Sequence, residues 1–161
     1  MLKPGSKEAV MSRKRLIGLV VAVSMLLVAS AALAQPWRGW RGSGGWGMGM
    51  PYQRMYNPAK IETITGTVEA VDKITPLRAM SSGIRLMVKT DKETISVDLG
   101  PEWYIERFDT KLEKGDKVEV KGSRATFAGK PSIIAAEVKK GDSVLVLRDS
   151  EGIPAWAGWR R

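Results

Sequence analysis

The chain has 161 residues with no cysteine, no histidine and a formal net charge of +9. These absences exclude disulfides, a lipid anchor on a modified cysteine, and Ser-His, Cys-His and His-metal chemistry, which argues against an enzyme. The charge excess is not evidence for nucleic acid, because residues 61–161 hold 17 basic against 16 acidic side chains and are nearly neutral.

After a polar leader, Met1 to Val10, the stretch Met11 to Ala34 reads as a signal peptide. Arg13, Lys14 and Arg15 are followed by an apolar run from Leu16 to Val28 and by Ala32-Leu33-Ala34 ahead of Gln35. That run is shorter than the ~20 residues a spanning helix requires. The expectation is a periplasmic or secreted protein beginning at Gln35, with Met11 an alternative start and no membrane span after cleavage.

Residues 35–60 hold six glycines and three prolines, with Trp37, Trp40, Trp46, Tyr52 and Tyr56 among them and no acidic residue. No apolar period of 2 or 3.6 runs through them, so they read as a disordered, flexible arm. From Ile61 onward the pattern is β. Ile64, Gly66, Val68 and Ala70 alternate with Thr63, Thr65, Thr67 and Glu69, and Gly66 marks a bend. Ile84, Leu86 and Val88, the turn Thr90 to Glu93, and Ile95, Val97 and Leu99 make a hairpin. Pro101 and Glu102 open a short helix expected over 101–108, with Tyr104 and Phe108 on one face. Strands follow at Val118 to Gly122, Ile133 to Val138 and Val144 to Leu147, separated by Gly-containing turns. The two K-G-D-x-V-x-V segments at 114–120 and 140–146 are turn-plus-strand signals and carry no chemistry.

Three antiparallel strands, a helix and two more strands imply an all-β fold: a small five-stranded OB-type Greek-key barrel with one short helix between strands three and four. An SH3-like or sandwich-like barrel would not need that helix. The organisation is therefore 1–34 leader and signal peptide, 35–60 arm, and 61–161 OB-fold domain with a C-terminal tail. The runs G-T-V-E-A-V-D (66–72), V-D-L-G-P-E-W-Y (97–104), L-E-K-G-D-K-V-E-V-K-G-S-R (112–124) and L-R-D-S-E-G-I-P-A-W (147–156) carry a resemblance. Over roughly Ile61 to Trp156 the chain is similar to the C-terminal domain of MamS/MamX-type magnetosome-associated proteins, and distantly to bacterial OB-fold stress-tolerance proteins. The resemblance implies an exported OB-type domain. A haem-linked redox role does not carry over, because no C-x-x-C-H motif is present.

Trp103, Tyr104, Arg107, Trp156, Trp159 and Arg160 are candidates for an aromatic and cationic partner-binding surface. Arg38, Arg41 and Arg54 would serve a polyanion, and Met48, Met50 and Met55 offer soft thioether ligands that suit Cu(I). Glu102 and Glu106 share a helical face, a spacing that on a solvated helix faces water rather than doing acid–base work. No cofactor is expected. The functional expectation is a non-enzymatic, exported binding or scaffolding module whose partner is a protein or cell-envelope component. The alternatives are a single-stranded nucleic-acid or polyanion binder and a periplasmic copper-handling protein.

Overall fold

The computed structural model describes residues 43–157. Six strands carry the fold: β1 (Ile61–Ile74), β2 (Gly83–Lys89), β3 (Thr94–Pro101), β4 (Lys117–Phe127), β5 (Lys130–Lys140) and β6 (Ser143–Val146). A one-turn helix, α1 (Glu102–Ile105), lies between β3 and β4, and a 3-10 turn (Gln53–Met55) precedes β1. The all-β class and the position of the helix are those the sequence implies.

The strand order is β3-β2-β1-β4-β5-β6, and β3 also pairs in parallel with β5 through Ser96–Asp98 and Ser132–Ile134. Strands β1 to β5 therefore form a closed ring, with β6 added outside β5. The 14-residue β1 serves both halves, pairing with β4 over Ile61 to Thr67 and with β2 over Thr67 to Ile74. Gly66 sits at the changeover, where a Cβ would overlap the Lys89 carbonyl and crowd Val88. A bulge follows between Val68 and Ala70, and it adds the coil that the bend requires.

Alternation fills the ring. Leu86 and Val88 of β2, Ile95, Val97 and Leu99 of β3, Val118 and Val120 of β4, and Ile133 and Val138 of β5 are all buried. Each such aliphatic side chain contributes about 1.5–3 kcal/mol relative to exposure.

The helix is shorter than its sequence pattern. It stops at Ile105, and the next amides bond three residues back, Arg107 to Tyr104 and Phe108 to Ile105. Lys111 Nζ donates to the Glu106 and Phe108 carbonyls and closes the end. Tyr104 and Phe108 still meet edge-on at 5.4 Å, so the i, i+4 contact is real although a turn makes it.

The arm reading is corrected for the part of it that the structure describes. Trp46 and Tyr52 are 1% exposed, Tyr56 is 8% exposed, and all three belong to the hydrophobic core. Sparse aromatic anchors six and four residues apart have no period, so a periodicity criterion does not register them. The leader, the signal peptide, Trp37, Arg38, Trp40, Arg41, Trp159, Arg160 and Arg161 lie outside the described residues. Among the described residues no helix is long and apolar enough to cross a membrane.

Candidate functional site

Two ends of the described chain bring aromatic rings onto β2 and β3, where they join the same buried cluster as the aliphatic side chains. On β2, Gly83 and Arg85 alternate with Ile84 and Leu86; on β3, Asp98 stands opposite Arg85 and, across a register shift at Leu99, Gly100 stands opposite Ile84. The bare glycines are seats for rings. A Cβ at Gly83 would overlap Trp46, one at Gly100 would come within 2.6 Å of Trp156, and one at Gly152 within 2.6 Å of Tyr56. The rings then meet each other edge-on, Trp46 with Tyr52 at 4.8 Å and Trp46 with Trp156 at 6.4 Å. Trp156 Nε1 donates to the Trp46 carbonyl at 2.9 Å, joining residues 110 positions apart. Trp46 Nε1 donates to the Ser81 carbonyl at 3.1 Å.

Charge is threaded among these rings. Asp98 is fully buried and accepts from Arg85 through Nε at 2.5 Å and Nη2 at 3.0 Å, a bidentate pair. The Tyr52 hydroxyl donates to the same carboxylate at 3.4 Å. The hydrogen bond to Asp98 holds the Arg85 guanidinium above its ordinary pKa, against its partial burial. Burial, and then the Asp98 charge, push the Tyr52 phenol well above its ordinary value. Arg148 is 3% exposed and donates from Nη1 to the Ala135 carbonyl. Its guanidinium lies 5.3 Å from the Tyr56 ring centre and 5.0 Å from that of Trp156. Desolvation lowers its pKa, and the neighbouring tyrosines and Asp98 oppose that shift. Asp149 holds the following turn by accepting from the Glu151 and Ile153 amides at 3.0 and 2.8 Å.

On the exposed side of this network lies a groove of about 630 Å³. Its floor is Arg85 and Met87 of β2 with Thr94 and Ser96 of β3. One wall is Ile74, Thr75 and Pro76 at the start of the β1–β2 connection; the other is the β4–β5 hairpin, Phe127 to Pro131. Ala128 and Gly129 both take positive φ, 49° and 78°, which makes the hairpin tight and brings Phe127 and Lys130 to the groove. Phe127 stacks on Tyr52 at 5.7 Å with 23° between planes, so one ring belongs to the buried cluster and the other to the groove wall. Arg85 bridges the two environments, with its Nε and Nη2 committed to Asp98 and its side chain 23% exposed. No carboxylate lines the groove. The arrangement offers two cations, three hydroxyls and an apolar surface.

The side chains expected to form a partner-binding surface are placed differently. Trp156 is fully buried in the core cluster, which corrects its assignment to an exposed surface. Its ring is needed to fill the space over Gly100. Trp103 and Tyr104 are half-buried against the core, with Tyr104 5.4 Å from Trp156 and the Arg107 guanidinium 5.7 Å from the Trp103 ring. Arg54 is exposed on the 3-10 turn. Of the three candidate thioethers only Met48 is exposed, and Met55 packs against the core. Glu102 and Glu106 both face Lys73, which draws the Glu102 pKa down.

Arg85, Asp98 and the groove were missed, although a signal for the pair existed. With the turn at Thr90 to Glu93 and Lys89 opposite Thr94, counting outward along the hairpin brings Arg85 opposite Asp98, as the structure shows. The groove itself draws on four separate stretches of chain and has no linear pattern.

A model of the MamS/MamX magnetosome protein family matches residues 60–145. That span takes in β1 to β5 and most of β6, and excludes Trp46, Tyr52, Tyr56, Arg148 and Trp156. A search of curated proteins finds no match.

Proposed function

The chain belongs to the MamS/MamX magnetosome protein family, and from that premise we propose that it is an exported, non-enzymatic binding module of the cell envelope. Its recognition face is the groove over β2 and β3. The observation that carries this reading is the meeting of three separate segments around Arg85 and Met87 to form an open, acid-free depression. The outer face of strands two and three, flanked by these two connections, is where small barrels of the OB type take their ligands. Export is supported by the tripartite pattern of residues 11–34.

Site-specific photo-crosslinking in the native host tests the face. A photoreactive residue at Thr94, in the groove, should give one discrete adduct in the envelope fraction, and one at Lys139 should not. Adducts from both positions, or from Lys139 alone, would place recognition elsewhere.

A second reading, binding of a polyanion, is favoured by Arg85 and Lys130 standing in a groove without carboxylates. It makes a different demand on salt. Two groove cations give a slope of log K against log salt of about −1.4, at ~0.7 per phosphate contact on single strands. A slope of that size for a single-stranded oligonucleotide, reduced by half in Lys130→Gln, would favour the polyanion.

A further inference from the structure

We infer that the groove takes an extended peptide segment in which carboxylate side chains alternate with apolar ones. This rests on the groove being the recognition face, and it names the chemistry of the occupant. Four observations support it.

The first is charge. Both ionic groups lining the groove are cations, Arg85 from its floor and Lys130 from its wall. Lys130 makes no ion pair among the described residues. The carboxylate that holds Arg85, Asp98, is fully buried beneath the floor and is shared with Tyr52. Asp72 is the other carboxylate whose field reaches Arg85, and it does not line the groove.

The second is preorganisation. Asp98 grips the Arg85 fork at Nε and Nη2, which fixes the guanidinium plane and leaves Nη1 outside that pair. A cation already ordered costs little entropy when a carboxylate arrives.

The third is the apolar surface. Met87, Ile74, Phe127 and the two prolines share the lining with the cations and hydroxyls, so the occupant needs apolar side chains beside its charged ones. A nucleic-acid strand would require a run of stacking platforms. The groove has one aromatic ring, and that ring already stacks on Tyr52.

The fourth concerns this chain's own ends. Residues 35–42 carry Arg38 and Arg41, and residues 158–161 carry Arg160 and Arg161, with no acidic residue in either. Neither basic stretch complements the cations of the groove, whereas an acidic segment does.

The test uses the full chain and three labelled eight-residue peptides, followed by fluorescence anisotropy. One alternates Glu with Leu, the second has Gln for Glu, and the third has Lys for Glu. The Glu peptide should bind, the Gln peptide about tenfold more weakly, and the Lys peptide not at all. Lys130→Gln, at an exposed hairpin position, should weaken the Glu peptide about threefold. Arg85→Gln should weaken it about tenfold, provided its circular dichroism matches the parent. Met87→Glu should abolish binding. Equal binding of the Glu and Gln peptides, lost in Met87→Glu, would overturn the acidic chemistry while leaving the groove as the recognition face. Glu-peptide binding that is untouched by Lys130→Gln and Met87→Glu would overturn both. Displacement of the Glu peptide by oligo-dT at lower concentration than by unlabelled Glu peptide would overturn the peptide assignment in favour of a polyanion.

Discussion

The aliphatic side chains of the strands and the aromatic rings brought in from both ends of the described chain belong to one buried cluster, yet they are specified in different ways. The strand set is aliphatic and regular: Leu86 and Val88 face Val97 and Ile95 in strict alternation, and any of several branched residues would serve at each place. The second set is aromatic and irregular. Trp46, Tyr52, Tyr56 and Trp156 reach the cluster from opposite ends of the described chain and settle on Gly83, Gly100 and Gly152. One region is held by many interchangeable contacts, the other by a few that have no substitutes. The lesson is that a packed segment does not have to be periodic to be part of the core.

The sharpest way to break this contrast is to remove one ring. Trp156→Ala should cost about 3–5 kcal/mol in urea unfolding, through lost burial and the cavity left beside Arg148 and Trp46. Leu86→Met, inside the ring, should cost under about 1.5 kcal/mol. Similar losses from both would mean the two regions do not differ as described. The glycine seats come next. Gly83→Ala should destabilise by about 1–3 kcal/mol because its methyl meets the Trp46 ring. Gly129→Ala, where nothing stands near the added Cβ, should carry only the positive-φ cost of about 1 kcal/mol.

Alkaline titration separates the regions without a substitution. The three tyrosines of the chain, Tyr52, Tyr56 and Tyr104, all have pKa values raised chiefly by burial, and the strands contribute none of them. A raised folded-state value means that the unfolded chain ionises first. Stability should therefore hold up to about pH 10 and fall above it, by at most ~1.4 kcal/mol per pH unit for each tyrosine. Tyr52→Phe should flatten that fall, at the expense of the bond to Asp98. An unchanged slope in Tyr52→Phe would show that Tyr52 does not ionise differently on unfolding. The smallest effect is expected at the surface. Arg124 pairs with Glu62 at 2.7 Å and Glu93 at 2.8 Å, all partly exposed, and Arg124→Gln should cost under about 1 kcal/mol and less in high salt.

What could be read in the sequence follows the same division. Every strand of the ring announced itself through period-2 alternation between turn residues, and Gly66 announced the bend in β1. The helix was read too long because Tyr104 and Phe108 keep a helical spacing across a turn that is no longer helical. Glycine and proline mark the arm, residues 35–60, as loop, and in its described part, 43–60, the backbone before β1 is loop and turn while Trp46, Tyr52 and Tyr56 are core. The groove drew on Ile74 to Pro76, Arg85 and Met87, Thr94 and Ser96, and Phe127 to Pro131. Only the closing of the ring brings those together, and the tight turn at Ala128 and Gly129 aims the last of them.

The hydrogen bond from Trp156 to the Trp46 carbonyl also has a temporal meaning. A polypeptide is made from its N terminus, so Trp46 emerges 110 residues before the ring that meets it. Until Trp156 follows, Gly100 has no cover and Trp46 lacks one of its ring partners. A chain broken off between residues 147 and 155 would keep the residues of β1 to β6 yet lack the ring that covers Gly100. Trp156 thus ties the last turn of the described chain to its first, and the packing of Trp46 waits on a residue made 110 positions later.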